Sequence, residues 1–323
     1  MKNKISKWEE PLCNICGSPS KKTIYTDLTY WEYPGKFQIV KCSRCGLTFT
    51  SPRPNISEME KYYESKMYFG RDVASDYEIE DSANRELHYG PMYDLILTKK
   101  KYGSILDIGA GTGMLLSKFK DEGWEVDGVE LTGSAVRYCK KKYGINLRKG
   151  DFLDKKINNK YDVVVLNGAL EHLHKPLETL TKARSLLKNR GIIVVSIPNS
   201  ASIGRKLFGR NWFAWQPPRH LYHFTPITVK TLFNKAGFKK INILFSYDVQ
   251  NKYILFQSAR YMLSPKFKKK KTGGLVNSEG AFKKTFSIKK EIGKVIFYVS
   301  SNILSLIEPL IKKSEVIIVY AEK

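Results

Sequence analysis

Three alternating glycines follow an acidic residue in the segment 104–116, whose sequence is SILDIGAGTGMLL. The glycines are Gly109, Gly111 and Gly113, and they join an apolar, strand-like stretch to a helix-like one. Because glycine has no Cβ atom, such a backbone can turn sharply and approach a ligand closely. The spacing therefore predicts a nucleotide-binding loop, and the acid beside it bears on which nucleotide is bound.

The acid is Asp107, two residues before the first glycine. A dinucleotide-binding loop reads G-x-G-x-x-G and holds a pyrophosphate at the start of the following helix. Here Met114 stands where that pattern requires its third glycine, and the Asp107 carboxylate would repel a pyrophosphate. A carboxylate attracts a cation instead, and S-adenosylmethionine (SAM) carries a sulfonium and an ammonium group and no phosphate. We therefore expect SAM in this loop.

Two later segments predict further contacts to the same cofactor. The segment 126–130, VDGVE, reads as a second strand and ends in Glu130, whose carboxylate can accept hydrogen bonds from both ribose hydroxyls. A third strand precedes Asp151 and Phe152. Asp151 can accept a hydrogen bond from the adenine amino group, and Phe152 can lie against the adenine ring.

A fourth apolar segment, YDVVVL at 161–166, leads to Asn167 and then to the tripeptide EHL at 171–173. With these motifs in this order, the chain from about 105 to 245 resembles the class I SAM-dependent methyltransferases, especially their bacterial and archaeal small-molecule branch. The alternative, a β-α unit with a glycine turn and no ligand, accounts for single segments but not for all four.

The resemblance implies an α/β fold, a Rossmann-like, doubly wound, mostly parallel sheet of seven strands. It implies that the last strand, 316–321, runs antiparallel to the others. It further implies a cofactor site made of Asp107, Gly109, Gly111, Gly113, Glu130, Asp151, Phe152 and Asn167. The activity it implies is transfer of a methyl group from SAM.

Four of the five cysteines form two C-x-x-C-G pairs, Cys13 with Cys16 and Cys42 with Cys45. Each pair predicts a tight turn that directs two thiolates at one metal ion. Two such pairs give a closed Cys₄ set, which is typical of structural zinc and has no open position for chemistry. Disulfide or redox pairing is the alternative, which a reducing cytosol disfavours.

The chain divides into three predicted parts. Residues 1–55 are expected to form a small zinc-ribbon-like domain whose core comes from Tyr30, Trp31, Tyr33, Phe37, Ile39, Leu47 and Phe49. Residues 56–100 are expected to be a linker with helices that cap the cofactor site, beginning with a helix at 57–63 whose N-cap is Ser57. Residues 101–323 are expected to be the methyltransferase domain, with a basic, amphipathic helical insertion at 248–314 before the last strand.

An aromatic loop, NWFAWQPPRHLYHFTP at 211–226, follows the fifth predicted strand at 191–198. Open α/β folds bind ligands beyond the carboxyl ends of their strands. We therefore expect the acceptor to contact Trp212, Trp215, Arg219 and Tyr222, which can stack on a ring and bind an anionic group. The alternative is a covering loop whose aromatic side chains fill the core.

Methyl transfer is an in-line displacement, so the protein aligns the two reactants and removes one acceptor proton. A histidine that is neutral near pH 7 can accept that proton. The predicted catalytic candidates are His172, His220 and His223. For His172 a purely structural hydrogen bond is the alternative.

The acceptor class follows only from the resemblance. Cysteine-ribbon methyltransferases of this kind include enzymes that act on deoxysugars, which implies a small-molecule acceptor, anionic or sugar-like, such as a sugar or a precursor of a cell-surface glycan or lipid. Two other functions stay open: an enzyme that modifies RNA or protein, and a non-catalytic SAM-binding scaffold.

The charge of the chain predicts an anionic partner or surface, because 55 Lys and Arg residues outnumber 31 Asp and Glu residues and give a net charge of +24. The basic run KFKKKK at 266–271 and the amphipathic stretch 288–313 suit peripheral contact with an anionic membrane. The alternative is a solvated charge run beside a helix that packs on the domain or on a second subunit.

Nucleic acid is disfavoured as a partner, because the lysines are spread along the whole chain and no nucleic-acid-binding motif is present. Residues 1–10 are polar and charged and lack the apolar core of a signal peptide. We therefore expect a cytoplasmic protein, either free in the cytoplasm or in peripheral contact with a membrane.

Overall fold

The structure is a computed structural model that describes residues 7–30, 33–63, 89–245, 249–263 and 304–323. Its N-terminal part is built from short antiparallel strands: β1 (Trp8–Glu9), β2 (Lys21–Tyr30), β3 (Tyr33–Cys42), β4 (Thr48–Thr50) and β5 (Arg53–Pro54). Strands β2, β3 and β4 form one sheet, and β1 pairs with β5.

The small core of this N-terminal part is largely the predicted one. Phe37, Ile39, Leu47 and Phe49 are all buried. Trp31 and the side chains of Tyr30 and Tyr33 lie outside the described residues.

Helix α1 (Ile56–Tyr63) follows β5, and its N-cap is not the predicted one. The Asn55 side-chain Oδ1 accepts a hydrogen bond from the Glu58 N–H (3.0 Å), so Asn55 and not Ser57 caps the helix. After the gap at 64–88, helix α2 (Gly90–Lys99) leads into the main domain and buries Met92 and Ile96.

The main domain is a seven-stranded sheet with helices between the strands. In chain order its elements are β6 (Ser104–Ile108), α3 (Met114–Asp121), β7 (Glu125–Glu130), α4 (Gly133–Tyr143), β8 (Arg148–Lys149), β9 (Tyr161–Asn167), α5 (Pro176–Leu186), β10 (Leu187–Pro198), α6 (Ile203–Phe208), β11 (Tyr222–His223), α7 (Pro226–Lys235), β12 (Ile241–Leu244), α8 (Val249–Leu263) and β13 (Val316–Glu322). All but β11 among these strands belong to the sheet, whose order is β12-β13-β10-β9-β6-β7-β8.

The direction of the strands confirms the predicted fold class. β8, β7, β6, β9 and β10 pair in parallel, whereas β13 pairs antiparallel with both β10 and β12. The sheet is therefore mostly parallel, and its last strand in the chain runs against the others.

Both faces of this sheet are buried, which explains why its strands are apolar throughout. On β9, Val163 and Val165 pack into the core that also contains α2 and α3, whereas Val164 and Leu166 pack into the core that contains α5 and α7. Successive side chains on a strand point to opposite faces. The helices therefore cover the sheet on two sides, as a doubly wound fold requires.

The segment between β10 and α7 joins the N-terminal part to the main domain. β11 pairs antiparallel with β4, through Tyr222 with Phe49 and His223 with Thr48, and so extends the N-terminal sheet to four strands. A third core packs Leu28 and Ile39 of this sheet against α6, α8 and the aromatic loop. The boundaries 1–55, 56–100 and 101–323 stay a prediction, but main-chain hydrogen bonds cross the first of them.

The predicted insertion at 248–314 is described only at its two ends, as helix α8 and a helix at 304–310. The basic run at 266–271 and most of the predicted helix at 288–313 lie outside the described residues. Leu306 and Leu310 are exposed on the second helix. Among the described helices none combines the length and the apolar composition needed to cross a bilayer.

Candidate active site

The glycine loop connects β6 to α3 at the carboxyl end of the sheet. Gly109, Gly111 and Gly113 have φ angles of +79°, +54° and +78°, a region that side chains other than glycine's rarely adopt. The N–H groups of Gly109 and Ala110 both donate to the Val129 carbonyl, at 2.9 and 3.1 Å. The loop is thereby fastened across to β7.

Asp107 lies near the end of β6 with 2% of its surface exposed, and its Oδ1 atom has no hydrogen-bond partner among the described residues. Burial raises the pKa of this carboxyl to about 7, and the negative charge of Glu130 adds to the shift. A buried carboxylate without a partner is costly, and a cationic ligand would offset that cost. This is the electrostatic feature expected of a SAM site.

Glu130, at the end of β7, holds the glycine loop from the other side. Its Oε2 accepts a hydrogen bond from the Gly111 N–H (2.9 Å). Its Oε1 accepts from the Thr132 N–H (2.8 Å) and from the Thr132 hydroxyl. Each carboxylate oxygen can accept more than one bond, so Oε2 keeps the capacity to accept a ribose hydroxyl.

The predicted adenine contacts lie in a short 3₁₀ turn, Phe152–Asp154. Asp151 caps this turn, because its Oδ1 accepts from the Leu153 N–H (2.7 Å). The Phe152 ring is 3% exposed and packs in the core, with the Lys182 ammonium 4.6 Å from its centroid. Their roles toward adenine stay predictions.

Lys182 is a residue that sequence reasoning missed. Its ammonium donates to the carbonyls of Phe152 (2.6 Å), Leu153 (2.9 Å) and Lys155 (2.7 Å). Three hydrogen bonds from one side chain of α5 thus hold the turn that carries the predicted adenine contacts. Lys182 is one of many lysines in the chain and belongs to no motif, so the sequence gives no signal for this role.

The end of β9 touches the glycine loop. Asn167 pairs with Ser196 in the sheet, and the next residue, Gly168, donates from its N–H to the Ser196 carbonyl (3.0 Å). The Ala169 methyl lies so close to the loop that a Cβ added to Gly109 would be 2.9 Å from it. Residues just after β9 therefore lie beside the glycine loop.

The 3₁₀ turn Leu170–His172 and the aromatic loop bring three chemically active side chains together: Glu171, His172 and His220. One polar atom from each lies within 4.8 Å of the others. The His172 and His220 rings meet edge to face, with centroids 4.7 Å apart. His172 Nδ1 lies 2.9 Å from the Arg219 carbonyl, and His220 Nδ1 lies 2.7 Å from the Ala214 carbonyl.

These contacts fix the tautomer of both rings. A carbonyl oxygen only accepts, so each Nδ1 carries the hydrogen and each Nε2 keeps a lone pair. Burial lowers the pKa of His220 to about 3, and the Arg219 charge adds to the shift. Burial also lowers the pKa of His172 well below its usual value. Both imidazoles are therefore neutral at physiological pH.

Glu171 is the acidic member of this group and is 3% exposed. Burial raises the pKa of its carboxyl to about 8, while the Arg219 charge opposes the shift. Its Oε2 atom has no hydrogen-bond partner in the described part of the chain. Sequence reasoning treated Glu171 only as part of a motif and did not single it out as a candidate site residue.

The predicted acceptor residues of the aromatic loop are mostly buried. Trp212 and Trp215 are each 2% exposed. Trp212 Nε1 donates to Glu315 Oε2 (2.5 Å), and Trp215 Nε1 donates to the Gly209 carbonyl (2.9 Å). The structure thus shows how these rings fill a core, and their contact with an acceptor stays a prediction.

The other loop candidates are His223, Arg219 and Tyr222, and each has contacts of its own. His223 is buried, with its ring centroid 4.7 Å from that of Trp215. Burial lowers the pKa of His223 well below its usual value, and His220 lies near enough for its charge to add to the shift. Arg219 is half-buried next to His172. The buried Tyr222 donates its hydroxyl proton to the His174 carbonyl (3.1 Å). Of the three predicted catalytic histidines, His172 and His220 are in ring contact with each other, whereas the ring contact of His223 is with Trp215.

The N-terminal part supports this site directly. Thr50 donates from its N–H to the Leu221 carbonyl (2.9 Å) and from its hydroxyl to the His220 carbonyl (2.9 Å). Leu221 in turn donates from its N–H to the Glu171 carbonyl (2.8 Å). The chain of bonds runs from β4 to the turn that carries Glu171.

A second support, also missed from the sequence, is His174. Its Nε2 donates to the Pro54 carbonyl (3.0 Å), and its own carbonyl accepts from Arg53 (3.3 Å). The partners are about 120 residues apart in the chain, and no local motif signals such a contact.

The four predicted metal ligands form one cluster. The sulfur atoms of Cys13 and Cys45 are 3.3 Å apart and those of Cys16 and Cys42 are 3.5 Å apart, and all four lie within 4.8 Å of one another. None of them is in a disulfide. This donor set fits a tetrahedral metal ion with thiolate ligands.

The two cysteine turns have the same backbone hydrogen bonds. Gly17 N–H donates to the Cys13 carbonyl (2.8 Å), and Gly46 N–H donates to the Cys42 carbonyl (3.1 Å). Burial acts to raise the pKa of the Cys42 thiol, but the N–H groups of Cys45 and Arg44 and the neighbouring thiols bring it down to about 7. The internal repeat seen in the sequence is therefore a repeat in structure.

Comparisons with known proteins agree with this geometry. A family model described as a methyltransferase domain matches residues 82–243, half of the chain. The chain is 33% identical over 100 residues to an uncharacterized methyltransferase of Alkaliphilus oremlandii, covering 30% of this chain and 46% of that protein. It is 33% identical over 106 residues to the malonyl-[acyl-carrier protein] O-methyltransferase of Halalkalibacterium halodurans, covering 29% and 38%.

A third relative is the ubiquinone biosynthesis O-methyltransferase of Histophilus somni, 30% identical over 114 residues that cover 32% of this chain and 47% of that protein. The chain thus spans less than half the length of these relatives. Among solved structures, phosphoethanolamine N-methyltransferase 2 of Haemonchus contortus has a TM-score of 0.54 at 17% identity, covering 85% of this chain and 62% of that one. That likeness is one of fold.

Proposed function

Because the chain belongs to the family of methyltransferase domains, we propose that it transfers the methyl group of SAM to a small-molecule acceptor. The observation that carries the proposal is the buried Asp107 carboxylate, whose Oδ1 has no partner among the described residues, beside a loop of three positive-φ glycines. A cationic cofactor supplies the charge that Asp107 lacks, whereas a phosphate would be repelled.

The acceptor is proposed to bind beside Glu171, His172 and His220. This group follows β9, whose end contacts the glycine loop through Ala169. In-line transfer requires the attacking atom close to the sulfonium methyl, on the side away from sulfur. The group follows a strand whose end contacts the loop, so it is well placed to bind the attacking atom.

An oxygen acceptor is favoured over the alternatives. Two relatives with named activities are O-methyltransferases. The half-buried Arg219 beside His172 supports an acceptor that also carries an anionic or polar group, as a sugar or a glycan or lipid precursor does. We keep that acceptor class as a proposal, together with the predicted cytoplasmic location and the peripheral membrane contact predicted from the charge.

For the cysteine cluster we propose a structural zinc ion. Cys13, Cys16, Cys42 and Cys45 would hold it, and a closed thiolate set leaves no position for substrate. The metal would stabilise the N-terminal part and, through Thr50, the loop that carries His220.

Two measurements test the proposed activity. Isothermal titration should detect SAM binding to the wild-type protein and its loss in Asp107→Ala, whereas Asp121→Ala, which removes an exposed acid at the far end of α3, should bind normally. Incubation with isotope-labelled SAM and a metabolite extract should then give a small molecule that has gained one methyl group by mass spectrometry. SAM binding without any labelled product would instead indicate a scaffold, and labelled RNA or protein would indicate a macromolecular acceptor.

A further inference from the structure

We propose that Glu171, His172 and His220 bind one divalent metal ion of the zinc type, and that the acceptor hydroxyl coordinates to this ion. The acceptor part of this inference rests on the proposed function, whereas metal binding stands on the geometry of the three side chains. The site is distinct from the cysteine cluster and follows β9 at the carboxyl end of the main sheet.

The two histidines have the hydrogen bonds that metal-ligating histidines usually have. Each donates its Nδ1 hydrogen to a backbone carbonyl, His172 to Arg219 (2.9 Å) and His220 to Ala214 (2.7 Å). Such a bond fixes the ring orientation and increases the basicity of the other nitrogen. Both Nε2 atoms therefore carry lone pairs on rings that are already held in place.

Glu171 provides the third ligand and the negative charge. It is 3% exposed, and its Oε2 atom has no hydrogen-bond partner in the described part of the chain. A buried polar atom in that condition requires an unseen partner. A metal ion bound between this oxygen and the two imidazoles is such a partner.

The spacing permits one ion. One ligand atom from each of the three residues lies within 4.8 Å of the others. Ligands at about 2.0–2.2 Å from a tetrahedral ion are roughly 3.4 Å apart, so the most widely separated pair must approach by up to about 1.4 Å. Rotation of the Glu171 side chain can supply that change, because its Oε2 atom has no hydrogen bond among the described residues, whereas both imidazoles stay in place.

The donor types select the metal and leave room for a substrate. Two imidazoles and one carboxylate are the ligand set of many catalytic zinc sites, in which the fourth position is open, and imidazole disfavours Mg²⁺ and Ca²⁺. His172 is half-buried, so the group is not fully closed from solvent. The cysteine cluster has no such position.

The proposed ion changes the role of the histidines from the one predicted from the sequence. A hydroxyl bound to a divalent cation loses its proton to water more readily. Its oxygen lone pair then forms the new bond to the SAM methyl carbon, the carbon–sulfur bond breaks, and its electron pair stays on sulfur. His172 and His220 act as ligands and do not accept the proton themselves.

Metal content of the full-length protein tests the proposal. After equilibration with Zn²⁺ and removal of excess, the wild-type chain should hold two equivalents, one in each site. Glu171→Gln and His220→Ala should hold one. His174→Ala is the control, because His174 lies two residues after His172 but donates to the Pro54 carbonyl, and it should hold two. One equivalent in the wild type, or two in both site variants, would overturn the proposal.

A measurement on the wild-type protein covers the case in which a variant misfolds. Nitrogen NMR of the histidine side chains should show two Nε2 resonances that shift when Zn²⁺ is added beyond the first equivalent. Absence of any histidine shift at saturating Zn²⁺ contradicts the metal site regardless of the variants.

SAM binding measured on the same samples separates this inference from the proposed function. Glu171→Gln should bind SAM within about twofold of the wild type but transfer the methyl group at least a hundredfold more slowly. If the wild type binds two metal ions but no SAM, the proposed function fails and the metal site stands. If the wild type methylates its acceptor at full rate after the second metal is chelated away, the role of the metal is refuted and the activity stands.

Discussion

The Cys139 sulfur fills the space in which a side chain on Gly113 would begin. A Cβ atom built on Gly113 would lie 2.2 Å from this sulfur, and Cys139 itself is fully buried on α4. Gly111, two residues earlier in the same loop, has nothing within 4 Å of such a Cβ. At Gly113 both the backbone conformation and the lack of space disfavour a side chain, whereas at Gly111 only the backbone conformation does.

The first prediction separates these reasons by alanine substitution. Gly113→Ala should destabilise the protein by about 3 kcal/mol or more, because it combines an unfavourable φ of +78° with a clash in a closed core. Gly111→Ala should cost only about 1 kcal/mol, since its φ of +54° is the sole penalty. Denaturant unfolding of both variants measures the difference.

Cys139→Ala provides the check on the cause of that difference. Removing the sulfur from the Gly113→Ala background should recover part of the lost stability, because the next nearest atom is then the Cys139 Cβ at 3.3 Å. Equal losses in Gly111→Ala and Gly113→Ala would show that backbone strain alone matters.

The second prediction concerns the pH dependence of SAM binding. The pKa of Asp107 is raised to about 7 by burial and by Glu130, so the carboxyl is largely protonated below that pH. A cationic cofactor binds the ionised form better, and binding below the pKa must release a proton. The dissociation constant should therefore rise by up to about tenfold per pH unit as the pH falls below about 7. Titration calorimetry in buffers of different ionisation enthalpy would detect the released proton.

The third prediction concerns the pH dependence of stability that the Asp107 carboxyl causes in the ligand-free protein. Its folded-state pKa lies above the unfolded value, so the folded chain retains a proton that the unfolded chain has lost, and stability falls as the pH rises from about 4 to about 7. Asp107→Asn removes this penalty. The ligand-free variant should gain about 2 kcal/mol more over the wild type at pH 8 than at pH 5, while losing SAM affinity. A gain that does not depend on pH would contradict the assigned burial cost.

The main sheet was predictable because burial on two faces leaves a plain signal. Segments such as 161–166 and 316–321 are almost wholly apolar, and turn residues separate them from the helices. The ends of the strands were harder to predict from the sequence. β10 begins at Leu187 and not at 191, because Leu187 pairs with Tyr161 ahead of an irregularity that includes Lys188 and Arg190. Nothing in those polar residues indicates a strand.

Contacts across long chain separations were not predictable at all. β11 has two residues and pairs with β4 about 170 positions away, so neither periodicity nor propensity marks it. The grouping of His220 with Glu171 depends on that pairing. Local patterns therefore gave the candidate histidines, but only the fold shows which of them lie together and which carboxylate joins them.

The fourth prediction addresses Lys182 as a positioning residue for the cofactor. Lys182→Met keeps the apolar stem but removes the donors to the carbonyls of Phe152, Leu153 and Lys155. SAM should then bind about fivefold to tenfold more weakly, because the turn beneath the adenine position is less well held. Lys160→Met is the control, since the Lys160 ammonium donates only to the exposed Ser185 carbonyl. Equal SAM affinities in the two variants would show that Lys182 does not contribute to cofactor binding.

The fifth prediction tests whether the cysteine cluster supports the active site. Cys42→Ser should release the structural zinc and loosen the turn in which Cys42 N–H donates to the Leu47 carbonyl (2.8 Å). Since β4 follows that turn and Thr50 binds the Leu221 carbonyl, the looser strand should no longer hold the loop. Hydrogen exchange by mass spectrometry should show faster exchange in peptides that contain Leu221, with no change in β9.

Cys139→Ala is the matched control for this test, because it removes a buried thiol outside the cluster and should keep one structural zinc per cluster. Loss of zinc in Cys42→Ser without faster exchange around Leu221 would mean that the N-terminal metal stabilises its own turns only. Faster exchange around Leu221, with β9 still protected, would instead show that the hydrogen bonds from Thr50 transmit the loss of zinc to the loop. The comparison is informative because β9 and the loop share the main domain, but only the loop pairs with β4.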